Sequence, residues 1–192
     1  MEIPKKGVAT IKQDFNELII TIPAQKNWFV MVFSSIWMVG WFFGETFAIS
    51  MLFSSDTPIF ANLFILFWLT FWTLGGFMIV FNIFWMLFGK EVITFQKQSL
   101  KIARKIGELG RSKEFDLKQI KFFSENPFYT PNAFIRQKRN RSFKSLDFTR
   151  GALKFDYGME TFYFAKGISQ AEAKKIVEKL KTLPFMDKAI FA

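Results

Sequence analysis

The sequence predicts an α+β membrane protein, in which a hairpin of two transmembrane helices is inserted into an antiparallel β-barrel or sandwich that an α-helix caps. Three observations carry this prediction. Two long apolar segments, residues 28–53 and 59–88, contain a single charged residue, Glu45. Short alternating apolar segments precede and follow them, which is typical of half-buried strands. An amphipathic segment follows the last of these strands.

The region before the apolar segments is expected to form two strands, over residues 8–12 and 17–22. The turn residues Asp14-Phe15-Asn16 separate them, and Leu18, Ile20 and Ile22 share one face of the second strand. Because a two-stranded ribbon is only marginally stable alone, we expect it to pair with strands that follow the apolar segments.

The two apolar segments are each long enough to cross a membrane, since a spanning helix needs about 20 apolar residues. A pair of buried core helices in a soluble protein is the alternative, which uncharged segments of this length disfavour. The intervening residues 54–58 are so few that the two helices should be antiparallel neighbours. A hairpin confined to one leaflet is a further alternative, although the helix lengths favour spanning.

Glycines suggest where these helices approach something closely. Gly40 and Gly44 form a small-xxx-small pattern, and Gly75 and Gly76 lie together on the second helix. They could face each other within the hairpin, face a second copy of the chain, or face lipid. Four tryptophans accompany them as two i,i+4 pairs, which indicates packing rather than a cofactor site: Trp37, Trp41, Trp68 and Trp72.

The charge is placed around the apolar segments. Residues 90–192 contain 22 Lys and Arg against 11 Asp and Glu, whereas residues 28–88 contain two acids and no cation. Because cations concentrate in cytoplasmic loops, both termini are predicted to be cytoplasmic.

The region after the second helix reads as further strands and one helix. We predict a discontinuous cytosolic β-domain from residues 1–27 and 89–192, with the hairpin over residues 28–88. The helix begins with the capping box Ser169-Gln170-Ala171-Glu172 and should end before Pro184. The predicted strands cover residues 91–95, 100–106, 111–115, 121–124, 152–157 and 160–165.

Three segments carry a resemblance to a known family. They are Gly89-Lys90-Glu91-Val92-Ile93-Thr94-Phe95, Phe115-Asp116-Leu117-Lys118-Gln119-Ile120 and Gly151-Ala152-Leu153-Lys154-Phe155-Asp156-Tyr157-Gly158. Together they resemble bacterial pleckstrin-homology-like (PH-like) proteins with inserted membrane helices. The resemblance implies a small PH-like barrel beside the bacterial inner membrane and brings no catalytic motif.

A basic run near residue 140 is a candidate site for anionic lipid headgroups, because juxtamembrane cations favour an anionic surface. A solvated loop that reinforces the topology explains it equally well. Nucleic-acid binding is the weaker reading, since membrane topology already accounts for the charge. The candidate residues are Arg136, Lys138, Arg139, Arg141 and Lys144.

Glu45 is the most informative single residue, because a carboxylate within an apolar helix is costly and marks a functional site by default. A structural reading is a protonated or water-reaching Glu45 that bonds to its own helix or the neighbouring one. Thr46 and Ser50 are candidate partners on its own helix, and Asn62 is the candidate partner across the hairpin, since it lies at similar depth.

Enzyme signatures are missing from the sequence. Without Cys or His it lacks thiol nucleophiles, imidazole acid–base groups and the usual zinc ligands, and no phosphate-binding or nucleotide-binding motif occurs. We therefore predict no cofactor, no metal and a non-enzymatic binding or scaffold module, whose partner is a protein, a second copy or the lipid bilayer. The alternative is a subunit of a transport or envelope-assembly complex that acts through the hairpin.

Overall fold

The computed structural model describes residues 8–54, 58–129 and 151–191. These residues form three α-helices and two antiparallel sheets. The chain divides into two compact units. One unit, the β-domain, contains the residues before Lys26 and those from Gly89 onward, and the other contains Lys26–Phe88.

The second unit is a helical hairpin of α1 (Trp28–Leu52) and α2 (Ile59–Phe88). The side chain of Asn27 caps α1 by accepting a hydrogen bond from the Val30 N–H. Both helices are long and apolar enough to cross a membrane. Only 6% of the most apolar stretch of α1 and 11% of that of α2 is buried within the chain. A core helix of a soluble protein would be mostly buried, so these helices expose apolar surface on nearly all sides.

The larger sheet of the β-domain is a five-stranded meander. Its strands lie in sequence order: β1 (Thr10–Gln13), β2 (Glu17–Pro23), β3 (Gly89–Gln96), β4 (Ser99–Ile106) and β5 (Leu109–Asp116). β2 pairs with β3 along its whole length, from Glu17 opposite Gln96 to Pro23 opposite Lys90. The hairpin is therefore inserted between two neighbouring antiparallel strands.

The smaller sheet contains β6 (Ile120–Glu125), β7 (Leu153–Tyr157) and β8 (Glu160–Phe164). The 3₁₀-helix Leu117–Gln119 leads the chain from β5 into β6. β7 and β8 are joined by the two-residue turn Gly158-Met159, where Gly158 has the positive φ of 63° that a tight hairpin turn requires. α3 (Gln170–Lys181) follows, capped by the Ser169 hydroxyl on the Glu172 N–H.

One hydrophobic core joins the two sheets and α3. The side chains of β2 alternate, so that Leu18, Ile20 and Ile22 are fully buried. Aromatic contacts link the sheets: the ring centroids of Phe115 and Phe155 are 5.0 Å apart, and those of Phe95 and Phe123 are 5.8 Å apart. α3 contributes Ala173, Ile176, Val177 and Leu180.

The predicted α+β class is confirmed, with two antiparallel sheets and two long apolar helices. A closed barrel is not formed by the described strands, which make two separate ladders. The physical reason is the 3₁₀-helix, which carries the chain out of the first sheet before β6 begins.

Candidate functional site

The hairpin contains a polar contact within its apolar surface. The Thr73 hydroxyl on α2 donates a hydrogen bond of 2.5 Å from its Oγ1 to Oε1 of Glu45 on α1. The second carboxylate oxygen of Glu45, Oε2, is buried and has no hydrogen-bond partner among the described residues. The Oε1 atom of Glu45 is thus bonded to the neighbouring helix, whereas Oε2 lacks a donor in the part of the chain that the structure describes.

Two tryptophans pack beside this contact and fix the register of the helices. The Trp41 indole N–H donates to the backbone carbonyl of Trp72 at 3.1 Å. The indole of Trp72 stacks on Trp68 with a centroid separation of 4.5 Å. The Trp72 Nε1 is itself buried and unpartnered in the described part of the chain. We call Glu45, Thr73, Trp41 and Trp72 the hairpin polar cluster.

The four glycines of the hairpin divide into two groups. A β-carbon on Gly76 would overlap the Trp41 indole, and one on Gly44 would meet the Trp72 ring at 3.7 Å. Gly40 and Gly75 have open space where a β-carbon would lie. Gly44 and Gly76 therefore face tryptophans within the hairpin, rather than other glycines.

Asn62 makes no hydrogen bond to Glu45 among the described residues, because Oε1 of Glu45 accepts from Thr73 and Oε2 has no partner there. The Asn62 Oδ1 is buried without a hydrogen-bond partner in the residues that the structure describes. Asn62 lies in the first turn of α2, whereas Glu45 lies about two turns before the end of α1. In an antiparallel pair with a short connection, those positions differ in depth, so the predicted partnership is wrong.

The candidate lipid-binding cations of the basic run lie outside the described residues. They are Arg136, Lys138, Arg139, Arg141 and Lys144.

The β-domain contains a second buried carboxylate, Glu91 on β3. It is only 5% exposed and shares the inward face of the strand with Ile93 and Phe95. Its Oε2 accepts a hydrogen bond of 3.0 Å from the Lys166 N–H, whereas Oε1 has no hydrogen-bond partner in the described ranges. Burial raises the pKa of Glu91 above its usual value, and the positive charge of Arg104, which lies opposite it on β4, opposes that rise.

The backbone that faces Glu91 is a turn at residues 165–167, here called the amide turn. Ala165 and Gly167 have positive φ angles of 62° and 105°. This conformation directs the Lys166 N–H at Glu91 and the Gly167 N–H at the Tyr129 hydroxyl, at 2.9 Å. Burial also raises the pKa of Tyr129. The amide turn therefore ties β3 to the residue just before position 130.

Asn126 forms two hydrogen bonds to the residues that precede β7. Its Nδ2 donates to the Gly151 carbonyl at 3.0 Å, and its backbone N–H donates to the Ala152 carbonyl at 2.8 Å. The two described ends that flank residues 130–150 are thus bonded directly to each other.

Glu91 and the amide turn were missed by the sequence reasoning, although one signal was present. In the alternating strand β3, Glu91 has the same parity as the apolar Ile93 and Phe95, so its side chain had to point into the core. A carboxylate at an inward position predicts a buried partner.

The described part of the chain contains no group of three His, Cys, Asp or Glu side chains that could hold an ion. Comparisons with protein families, with curated proteins and with solved structures found no match to this chain.

Proposed function

We propose that this protein is a membrane-anchored, non-enzymatic binding or scaffold module of the bacterial inner membrane. In this proposal α1 and α2 span the bilayer and hold a PH-like β-domain at its cytoplasmic face. The observation that carries it is the full-length pairing of β2 with β3 around the inserted hairpin. Along the chain, both ends of the hairpin lead into adjacent strands of the β-domain: four residues join β2 to α1, and β3 follows α2 directly.

The surface of the hairpin supports the spanning arrangement. Its exposed side chains are large and apolar on both helices, among them Phe29, Phe43, Phe64, Phe77 and Phe81. A soluble protein rarely exposes a continuous apolar surface of this size. The connection between the helices contains Asp56 and no cation, whereas cations follow Phe88, which favours cytoplasmic termini.

A PH-like assignment is supported by element order and packing. Five meandering strands, three further strands and a final helix enclose one core. This order agrees with the resemblance carried by the segments that begin at Gly89, Phe115 and Gly151.

A binding role follows from the exposed edge of the larger sheet. β1 has β2 as its only neighbour among the described strands, and all four of its residues are exposed. An edge strand of this kind accepts an extended segment of a partner protein. Anchoring at the bilayer raises the effective concentration of this edge toward other membrane proteins.

The membrane topology is tested first. Because the sequence contains no cysteine, a single introduced cysteine is the only thiol that can be labelled. Ser54→Cys in the helix connection and Met159→Cys in the β7–β8 turn are each labelled in sealed vesicles with a membrane-impermeant maleimide. We expect Ser54→Cys to react only from the periplasmic side and Met159→Cys only from the cytoplasmic side. Reaction of both from one side would contradict the spanning arrangement.

Binding is tested with a photo-crosslinking residue at Lys12 on β1 of the full chain, and with a control at Lys118 in the 3₁₀-helix. We expect a discrete protein adduct at position 12 and none at position 118. The absence of an adduct at position 12 would contradict binding through this edge.

The hairpin polar cluster favours a second candidate, a subunit that acts through its membrane helices. Glu45 Oε2 and Trp72 Nε1 offer one acceptor and one donor that no described residue satisfies. Polar groups of a third helix could satisfy both. If this is the function, Glu45→Gln removes the protein from its complex, whereas substitutions on β1 leave the complex intact.

A further inference from the structure

One end of the larger sheet is joined directly to the apolar helices. Pro23 at the end of β2 and Gly89 at the start of β3 both lie there, and the Ala24 N–H donates to the Gly89 carbonyl at 2.8 Å. Gly89 pairs with Ile106, so the β4–β5 turn, Gly107-Glu108, lies at the same end. We call this the anchor end of the sheet.

The anchor end carries two cross-strand pairs of like charge. Lys90 on β3 lies opposite Lys105 on β4, and Arg104 on β4 lies opposite Arg111 on β5. Like charges placed directly opposite each other on a sheet are destabilising. The acids nearby in the described ladder are Glu91, which is buried, and Glu108 in the turn. Cations therefore outnumber acids at this end, where Arg111 is exposed and the other three cations are half-buried.

An apolar tip stands beside these cations. Leu109 is 83% exposed at the start of β5. Gly107 adopts a φ of 61° at the first position of the turn, as a type II′ hairpin turn requires. At Gly110 a β-carbon would overlap the backbone of Arg104, so the strands approach closely just below the tip. Leu109 is thus presented on a tight, defined hairpin rather than on a loose loop.

We propose that the anchor end docks on an anionic lipid surface, with lipid phosphates bound by Lys90, Lys105 and Arg111 and with Leu109 inserted among the acyl chains. This inference rests on the proposed membrane anchoring. A single peptide bond separates Gly89 from Phe88, the last residue of α2, so the anchor end begins where the apolar helix stops. The exposed Arg111 and the half-buried Lys90 and Lys105, beside an exposed leucine, match the layer where anionic headgroups meet acyl chains.

Charge complementarity favours lipid over a second copy of this chain. A symmetric contact between two anchor ends would bring two Lys90–Lys105 pairs and two Arg111 side chains together, which repulsion between like charges disfavours. Anionic headgroups instead relieve the repulsion between Lys90 and Lys105. The cations of this surface lie on paired strands of the sheet, and none of them belongs to the basic run at residues 136–144 of the sequence.

The experiment uses the full chain in nanodiscs of phosphatidylcholine, with and without phosphatidylglycerol. Leu109→Cys carries an environment-sensitive nitrobenzoxadiazole label. We expect a blue shift and stronger emission in the anionic discs, together with quenching by lipids that carry a nitroxide on the acyl chain. Met159→Cys is the matched control. It is fully exposed on another two-residue turn, and the adjacent Tyr157 contacts Phe115, at the end of the sheet opposite the anchor end.

Charge variants distinguish binding of anionic headgroups by the three cations from a label that simply lies close to the bilayer of the disc. In the Leu109→Cys background, the triple variant Lys90→Gln, Lys105→Gln, Arg111→Gln should lose the dependence of emission on phosphatidylglycerol. The control triple Lys97→Gln, Lys118→Gln, Lys121→Gln, at the opposite end of the β-domain, should retain it. A circular-dichroism spectrum matching that of the parent shows that each variant is folded.

Three results would each overturn a different part of the proposal. Equal emission of the Leu109 label in neutral and anionic discs, with the chain firmly incorporated, overturns the docking proposal and leaves the membrane anchor standing. Extraction of the chain from vesicles by alkaline carbonate overturns the anchor itself. Loss of the phosphatidylglycerol response in both triple variants also overturns the assignment to the anchor end, because general charge would then be responsible.

Discussion

Trp41 on α1 lies over Gly76 on α2, so closely that a β-carbon at position 76 would overlap the indole ring. The same indole donates its N–H to the Trp72 carbonyl at 3.1 Å, one turn earlier on α2. The position of the Trp41 indole is therefore fixed twice, by the space that Gly76 leaves for it and by its hydrogen bond to the Trp72 carbonyl. Together they set the register of the hairpin, and that register places Thr73 opposite Glu45.

Gly76→Ala is expected to destabilise the packing of the two helices by about 1–3 kcal/mol, the usual cost of overfilling a packed site. Gly75→Ala is the matched control, because its β-carbon enters open space. Thermal unfolding in mild detergent, followed by tryptophan fluorescence, measures the difference, since all six tryptophans lie in the hairpin. Equal melting temperatures for the two variants would contradict the close packing of Trp41 against Gly76.

Thr73→Val should weaken the hairpin by about 0.6–2 kcal/mol, because it removes an interhelical hydrogen bond while preserving shape. Thr70→Val is the control, since the Thr70 hydroxyl donates to the Leu66 carbonyl of its own helix. A double-mutant cycle with Glu45→Leu isolates the contact. Additive effects of the two substitutions would show that Thr73 and Glu45 do not stabilise each other.

The helices and strands were predictable from the sequence because their signals are local. The apolar lengths of α1 and α2, the alternation in β2 and the capping box before α3 each depend on a few neighbouring residues. The pairing of β2 with β3 followed from the instability of an isolated ribbon. The closed barrel was not formed by the described strands, because a three-residue 3₁₀-helix between β5 and β6 decides whether the sheet continues.

The details of the candidate sites depend on contacts between distant residues. Depth along the helices is the only signal that suggests Asn62 as the partner of Glu45, whereas the contact of Trp41 with Gly76 determines which α2 residue faces Glu45. The environment of Glu91 depends on a backbone amide 75 residues away in the sequence. The direction of that amide depends on the positive φ of Ala165, and an alanine in the sequence does not predict a positive φ.

Glu91→Gln should change how the stability of the β-domain depends on pH. Burial raises the pKa of Glu91 above the ordinary 4.5, so the folded state holds this proton more tightly than the unfolded chain. The free energy of unfolding contributed by Glu91 therefore falls as pH rises from about 4.5 through the folded pKa, and then stays constant. Glutamine has no such titration, so the stability of the variant relative to the parent should grow across that window.

Hydrogen exchange of the β3 and β4 amides at a series of pH values, corrected for intrinsic rates, measures this effect. Glu114→Gln provides the control, because Glu114 is exposed on β5 of the same sheet. A parallel pH dependence for the parent and Glu91→Gln would contradict a raised pKa at position 91.

Tyr129→Phe should destabilise the amide turn by about 1–3 kcal/mol, since it leaves the Gly167 N–H without its acceptor in a poorly hydrated site. Gly167 has a φ of 105°, a conformation that strains other residues, so the turn cannot easily rearrange to find a new acceptor. Exchange of the Gly167 amide should accelerate, with a smaller effect at Lys166, whose N–H remains on Glu91. Tyr163→Phe on β8 is the control for loss of a tyrosine hydroxyl outside the turn. If Gly167 exchanges at the parental rate in Tyr129→Phe, the hydroxyl does not hold the amide turn, and Glu91 must anchor it alone.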